Sequence, residues 1–177
     1  MPTANVSTRL GFANATFDDR AHGAALPRCD FGELVGDTIE HIRSEDIFTG
    51  MRAIVLGVPG AFTPVCTTRH LPEYIANADA LRALGYNRLV CITPNDPWTV
   101  RRWAEDVDPS GCIRFLSDGN LAFVRALGLA TWAEEAFLGE CSKRYLMTVS
   151  DGAIERLKVE REVSDLSCTL TSTLLIE

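Results

Sequence analysis

The sequence predicts an α/β fold with a mixed central sheet and helices on both of its faces. Three observations carry that expectation. Ala53–Val58 and Arg88–Thr93 are continuous apolar runs, the pattern of strands covered on both sides. Each is followed by a segment of helical period, the order that parallel βαβ units require. Near the C-terminus, two more runs flank Ser150-Asp151-Gly152 as the arms of an antiparallel hairpin would.

Residues 1–26 are rich in small polar residues and show no strong period, so they read as an extended arm on a domain spanning 27–177. The arm lacks the apolar stretch of a secretory signal, and Asp18 and Asp19 count against a transit peptide. Cytoplasmic residence is the default expectation, with organellar import as the alternative. Regular alternation begins near Arg52. After the first strand, Pro59-Gly60 punctuates the chain, and a helical pattern runs from near Cys66 to Gly85 with a break expected around Pro72. Asp96 before Pro97 has the form of an N-cap followed by proline at the first helical position, which places a helix over 98–107. Ile113–Leu116 reads as a third strand and Asn120–Leu127 as a third helix. The hairpin spans 144–149 and 153–159, and a short helix closes the chain within 169–176. A thioredoxin-like layout meets this description.

Composition narrows the function. Apolar residues make up 46% and charged residues 23%, ordinary for a globular domain, and the formal net charge is -7. Without a basic cluster, the chain is not expected to bind nucleic acid or an anionic membrane. No apolar run approaches the ~20 residues of a spanning helix. Six cysteines stand at 29, 66, 91, 112, 141 and 168, none in a C-x-x-C pair. That spacing argues against a zinc ribbon or a disulfide reductase.

The segment Val58-Pro-Gly-Ala-Phe-Thr-Pro-Val-Cys66 sits where a buried parallel strand ends and a helix begins, the place where sites form in open α/β sheets. A cysteine in a first helical turn faces unpaired backbone N–H groups and the positive end of the helix dipole. Both favour the thiolate, the nucleophilic form. Thr63 offers a hydroxyl nearby, and Pro59 and Pro64 stiffen the loop. Spacing alone leaves two readings open: a nucleophile, or a buried structural cysteine with an ordinary capping threonine.

Beyond spacing, Pro59-Gly60-Ala-Phe62-Thr63-Pro64-Val-Cys66 resembles the active-site signature of peroxiredoxins, P-x-x-x-T-x-x-C. Phe62, His70, Leu71 and Pro72 match the fuller form of the type II, atypical two-cysteine branch. Cys91–Trp98, Phe115–Asn120, Ala126–Leu129 and Ser142–Tyr145 extend the resemblance in order. It implies a thiol peroxidase for hydrogen peroxide and organic hydroperoxides that needs no metal or organic cofactor. Cys66 would attack the peroxide, Thr63 would hydrogen-bond peroxide and sulfur, and Arg144 would hold the thiolate and polarise the leaving oxygen. Pro59, Gly60, Phe62 and Pro64 would shape the loop. A homodimer is implied, with thioredoxin, glutaredoxin or glutathione as reductant.

Resolution of the oxidised Cys66 has two candidates within the resemblance. Cys168 precedes the last helix in a stretch expected to be mobile, and is favoured. Cys91 sits in a buried strand and would need local unfolding to reach Cys66. A small external thiol is the third possibility. Glu140-Cys141 departs from the family's pattern, whereas Cys29 and Cys112 read as packing residues. His70 lies four residues after Cys66, and a packing or hydrogen-bonding role is expected for it rather than a metal. A redox sensor with the same thiolate is the competing class; it would oxidise stoichiometrically instead of turning over.

Overall fold

Ala53–Val58 and Arg88–Thr93 lie side by side as expected, in parallel, at the centre of a seven-stranded sheet. The computed structural model describes residues 21–175. Its strands are β1 (Asp30–Val35), β2 (Thr38–Arg43), β3 (Arg52–Gly57), β4 (Arg88–Thr93) and β5 (Arg114–Ser117). They continue with β6 (Ala130–Ala133), β7 (Gly139–Ser142), β8 (Tyr145–Ser150) and β9 (Ala153–Val159). The order across the large sheet is β2-β1-β5-β4-β3-β8-β9, and β6 and β7 form a separate hairpin. β3, β4 and β5 are mutually parallel, while β8 runs antiparallel to β3 and carries β9 at the edge. The β8–β9 turn is Asp151-Gly152, both at positive φ (48° and 75°), which the Asp-Gly pair tolerates.

Among the described residues, six α-helices flank the sheet: α1 (Ser44–Phe48), α2 (Leu71–Ala76), α3 (Ala78–Ala83), α4 (Pro97–Val107), α5 (Ala122–Ala126) and α6 (Ser172–Leu175). They cover both faces, as alternation along the strands dictates. On one face, Val55, Val90 and Ile92 pack with Ile47 and Phe48 of α1 and Phe123 and Val124 of α5. On the other, Ile54, Leu56 and Cys91 pack with Leu71, Tyr74, Leu81 and Trp103. Asp96 caps α4 as expected, accepting from the Thr99 amide at 2.9 Å, a contact worth about 1 kcal/mol. Gly57 is required by its neighbour: a Cβ there would fall 1.8 Å from the Tyr145 ring.

Several expectations need correction. The helical stretch after Cys66 does not break at Pro72, which is accommodated in the first turn of α2; it breaks at Asn77, between α2 and α3. Ahead of α2, Cys66–His70 form a π-helical turn, with the Leu71 amide donating to the Cys66 carbonyl. Residues 27–51, given no element from the sequence, hold β1, β2 and α1, and the β6–β7 hairpin was likewise unassigned. β2 is an edge strand with no buried residue, so it lacks the apolar run that marks a covered strand. Residues 1–20 of the expected arm lie outside the described residues. Its remainder docks on β9, where Gly23 donates to the Ile154 carbonyl at 2.8 Å and Leu26 to the Gly152 carbonyl at 2.9 Å.

Candidate active site

The chain leaves β3 at Gly57 and turns through Pro59–Thr63 before entering the helical segment that carries Cys66. This loop is held from three sides. The Asn95 side chain, just after β4, accepts from the Ala61 amide at 2.7 Å and from the Thr93 hydroxyl at 2.8 Å. The Thr63 hydroxyl donates to the Gly60 carbonyl at 2.8 Å. From α4, the buried Trp103 indole donates to the Thr67 hydroxyl at 3.0 Å. Phe62 is forced to φ 59°, a left-handed conformation that costs a bulky residue free energy and that the surrounding contacts maintain.

Cys66 is fully buried in the first turns of the helical segment, where the Thr67 amide donates to the Thr63 carbonyl at 3.0 Å. Its sulfur faces Arg144, which arrives just before β8 and is 1% exposed. Nη1 of Arg144 lies 3.1 Å from Sγ of Cys66 and 3.3 Å from Nδ1 of His70. Nε donates to the Asp165 carbonyl and Nη2 to the Val163 carbonyl, each at 2.9 Å. Neutral carbonyls therefore fix the guanidinium, and no carboxylate among the described residues neutralises it. Its positive charge stays directed at the sulfur.

His70 sits at the other end of the π-turn and is also fully buried. Arg144 donates to its Nδ1, so the ring proton belongs on Nε2, which lies 3.2 Å from the Thr169 carbonyl. Burial, aided by the charge of Arg144, pushes the His70 pKa down to about 4. A neutral imidazole thus links the cysteine turn to the C-terminal segment. Tyr74 donates to the same Thr169 carbonyl at 2.6 Å. The expected hydrogen-bonding role of His70 holds.

Cys168 lies in that C-terminal segment, but the segment is fastened rather than loose. Glu160 accepts from the amides of Ser167, Cys168 and Thr169 at 2.7, 2.8 and 3.0 Å, and also from the Ser167 and Thr169 hydroxyls. Burial alone would raise the Glu160 pKa; these hydrogen bonds outweigh it and pull the carboxyl down to about 2. Glu73 of α2 receives both the amide and the hydroxyl of Thr171. Cys168 is half-buried, and burial followed by the charge of Glu160 pushes its thiol up to about 11. Cys91 belongs to β4, is fully buried, and shares the core cluster of Cys66. Its thiol is pushed well up by burial.

Thr63 and Arg144 border a cleft of about 260 Å³ whose other walls include Pro59, Val65, Leu138 and Val163. Cys66 lies behind it, one hydrogen bond away through Arg144. Of the residues that distinguish this chain from the sequence pattern, Cys141 is buried in β7, and Glu140 forms an ion pair with Arg125. Sequence reasoning missed Asn95, Glu160 and the carbonyls of Val163 and Asp165. Asn95 lies within the Cys91–Trp98 segment, but backbone carbonyls leave no trace in residue identity.

Comparison with known proteins settles the family. The model of the Redoxin family matches residues 21–171. Peroxiredoxin-2F, mitochondrial, of Arabidopsis thaliana is 30% identical over 179 aligned residues, covering 96% of this chain and 89% of the relative. The chain belongs to the peroxiredoxin family. The rice (Oryza sativa subsp. japonica) protein of the same name is 35% identical over 156 residues, 88% of this chain and 79% of that one. Reduced Prx3 in complex with H2O2 from Vibrio vulnificus has a similar structure, with a TM-score of 0.82 and 33% identity over 88% of this chain and 94% of that chain. The peroxiredoxin has the thioredoxin-like fold of its relatives and is a thiol peroxidase by family. No helix among the described residues is long and apolar enough to cross a membrane.

Proposed function

We propose that Cys66 is the peroxidatic cysteine and that Arg144 and Thr63 complete the site. The observation that carries this is the uncompensated guanidinium of Arg144 at 3.1 Å from the Cys66 sulfur. In the reaction, the thiolate attacks one peroxide oxygen in line with the O–O bond. That bond breaks, its electron pair leaves on the distal oxygen, and Cys66 becomes sulfenic acid as a proton is taken up to form water or an alcohol. Four of the five Arg144 N–H groups have partners. The fifth, on Nη2, is available to the leaving oxygen, where charge develops. Thr63 donates its own proton to Gly60, so its lone pairs are left to accept from the peroxide O–H. Pro59, Gly60, Phe62 and Pro64 form the loop that fixes this arrangement.

The apolar walls of the adjoining cleft suit the alkyl part of an organic hydroperoxide, and hydrogen peroxide needs no such contact. For resolution we favour Cys168. Its segment reaches the site through Thr169, His70 and Arg144, and releasing the Glu160 bonds costs less than opening β4 around Cys91. Thioredoxin, glutaredoxin or glutathione would then reduce the disulfide. Exposed Phe62, Trp132 and Phe137 support a homodimer with the active-site loop near its interface. We keep the cytoplasm as the proposed compartment, and fractionation against organelle markers decides between it and import.

The test is mass spectrometry of the reduced protein after one equivalent of hydrogen peroxide, with thiol mapping. A Cys66–Cys168 disulfide is expected, and Cys66→Ser abolishes consumption. A Cys66–Cys91 bond would move resolution to β4, stalled sulfenic acid would assign it to an external thiol, and an unreactive Cys66 would refute the site.

A further inference from the structure

A second cleft, of about 510 Å³, lies at the opposite end of the sheet. Cys66 follows the carboxyl end of β3, whereas this cleft is bordered by Arg88 and Arg114, the first residues of β4 and β5. Arg82, Arg101, Tyr86 and Cys112 also line it. Four guanidinium groups on one cleft are unexpected in a chain of net charge -7. Arg114 is held by Glu33 and Arg101 by Glu105. The partner of Arg82 is Asp79, whose side chain is 99% exposed, so solvent screens that pair strongly. Arg88 makes no ion pair among the described residues. The cleft therefore keeps net positive charge.

Cys112 is partly exposed on its wall. Its sulfur lies 3.3 Å from the Ser110 hydroxyl, and the Arg82 guanidinium lines the same wall. The short loop presenting it is rigid: the buried Asp108 accepts from Ser110 Oγ at 2.6 Å and from the Ile113 amide at 2.7 Å. The other partly exposed thiols sit among anions. Burial, then Asp118, Asp30 and Glu45, push Cys29 up to about 12, and burial with Glu160 does the same to Cys168, to about 11. Cys112 instead shares its cleft with four arginines.

We propose that Cys112 is a site of reversible mixed-disulfide formation with a small, carboxylate-bearing thiol of tripeptide size seated in this cleft. Guanidinium groups recognise carboxylates through paired, charge-assisted hydrogen bonds, and the volume is that of an ordinary small-molecule site. The Cys112 thiolate attacks one sulfur of the ligand's disulfide form. A new S–S bond forms as the old one breaks, and the other half leaves as a thiolate. Cys112 is oxidised and the departing half reduced, so no further oxidant is needed. The inference does not depend on the reading of the Cys66 site.

The experiment compares glutathione disulfide with neutral 2-hydroxyethyl disulfide on the reduced protein, following the Cys112 peptide by mass spectrometry. Each rate is divided by that of the same reagent with the unfolded chain. The carboxylate-bearing reagent is expected to react about fivefold faster at low salt, with the advantage shrinking as salt rises. Arg82→Gln combined with Arg88→Gln should remove it while peroxide turnover persists, showing that the fold is intact. Equal normalised rates for the two reagents, or an advantage that survives in the double variant, would overturn the proposal.

Discussion

A single nitrogen of Arg144 contacts both Cys66 and His70, at 3.1 and 3.3 Å, so the charge that faces the sulfur is aimed by a neutral imidazole. Arg144→Lys keeps a positive charge but loses the fork that binds the Val163 and Asp165 carbonyls. We expect peroxide consumption to fall by about 10²–10³-fold, the range for loss of one preorganised donor. Circular dichroism should remain that of the parent. Near-parental turnover in the lysine variant would show that charge alone suffices.

His70 makes stability depend on pH in a defined window. Its folded pKa of about 4 lies below the unfolded value of 6.5. Between those limits the unfolded chain takes up a proton that the folded chain refuses, so stability falls as pH drops through the window and levels off below it. The ceiling is on the order of 3 kcal/mol. His70→Gln should flatten denaturant midpoints between pH 6.5 and 4, whereas an unchanged slope would assign the effect elsewhere.

Glu160 acts in a lower window. Its folded pKa of about 2 lies below its ordinary value of 4.5, so its contribution is complete above 4.5 and disappears as pH falls through 2. At neutral pH, Glu160→Gln removes the charge that holds three consecutive amides. Hydrogen exchange at Ser167–Thr169 should accelerate about tenfold or more, and disulfide formation at Cys168 should speed up with it. Faster exchange without faster disulfide formation would mean that Cys168 does not resolve Cys66.

Phe137 is 97% exposed on the loop between β6 and β7, whose Leu138 borders the same cleft as Thr63. In the proposed dimer this ring is covered. Phe137→Glu should give monomers in size-exclusion with light scattering, with little change in the thermal midpoint at high dilution. A parent that is already monomeric at micromolar concentration would discard the dimer.

How much of this was legible in sequence follows from where the information lies. β3 and β4 are covered on both faces, so burial writes itself into an unbroken apolar run. The edge strand β2 has no buried position and therefore no pattern to read. Cys66, Thr63 and Arg144 were legible through their resemblance to a signature, and the structure places Arg144 against the sulfur while turning Thr63 toward Gly60. The fastening of Cys168 was not, because one carboxylate seven to nine residues away supplies it and the groups that donate to it are mostly backbone amides.

The π-turn between Cys66 and His70 makes segment length part of the chemistry. Its wider hydrogen-bonded ring admits one residue more than an α-helical turn, and that residue sets the angular phase at which sulfur and imidazole both meet Arg144. Shortening 66–71 by one residue would restore a regular helix and rotate one partner off the guanidinium, even if every named side chain were kept. Lineages of this chain should therefore accept substitutions at Thr67, Thr68 and Arg69 far more readily than any gain or loss of a residue there.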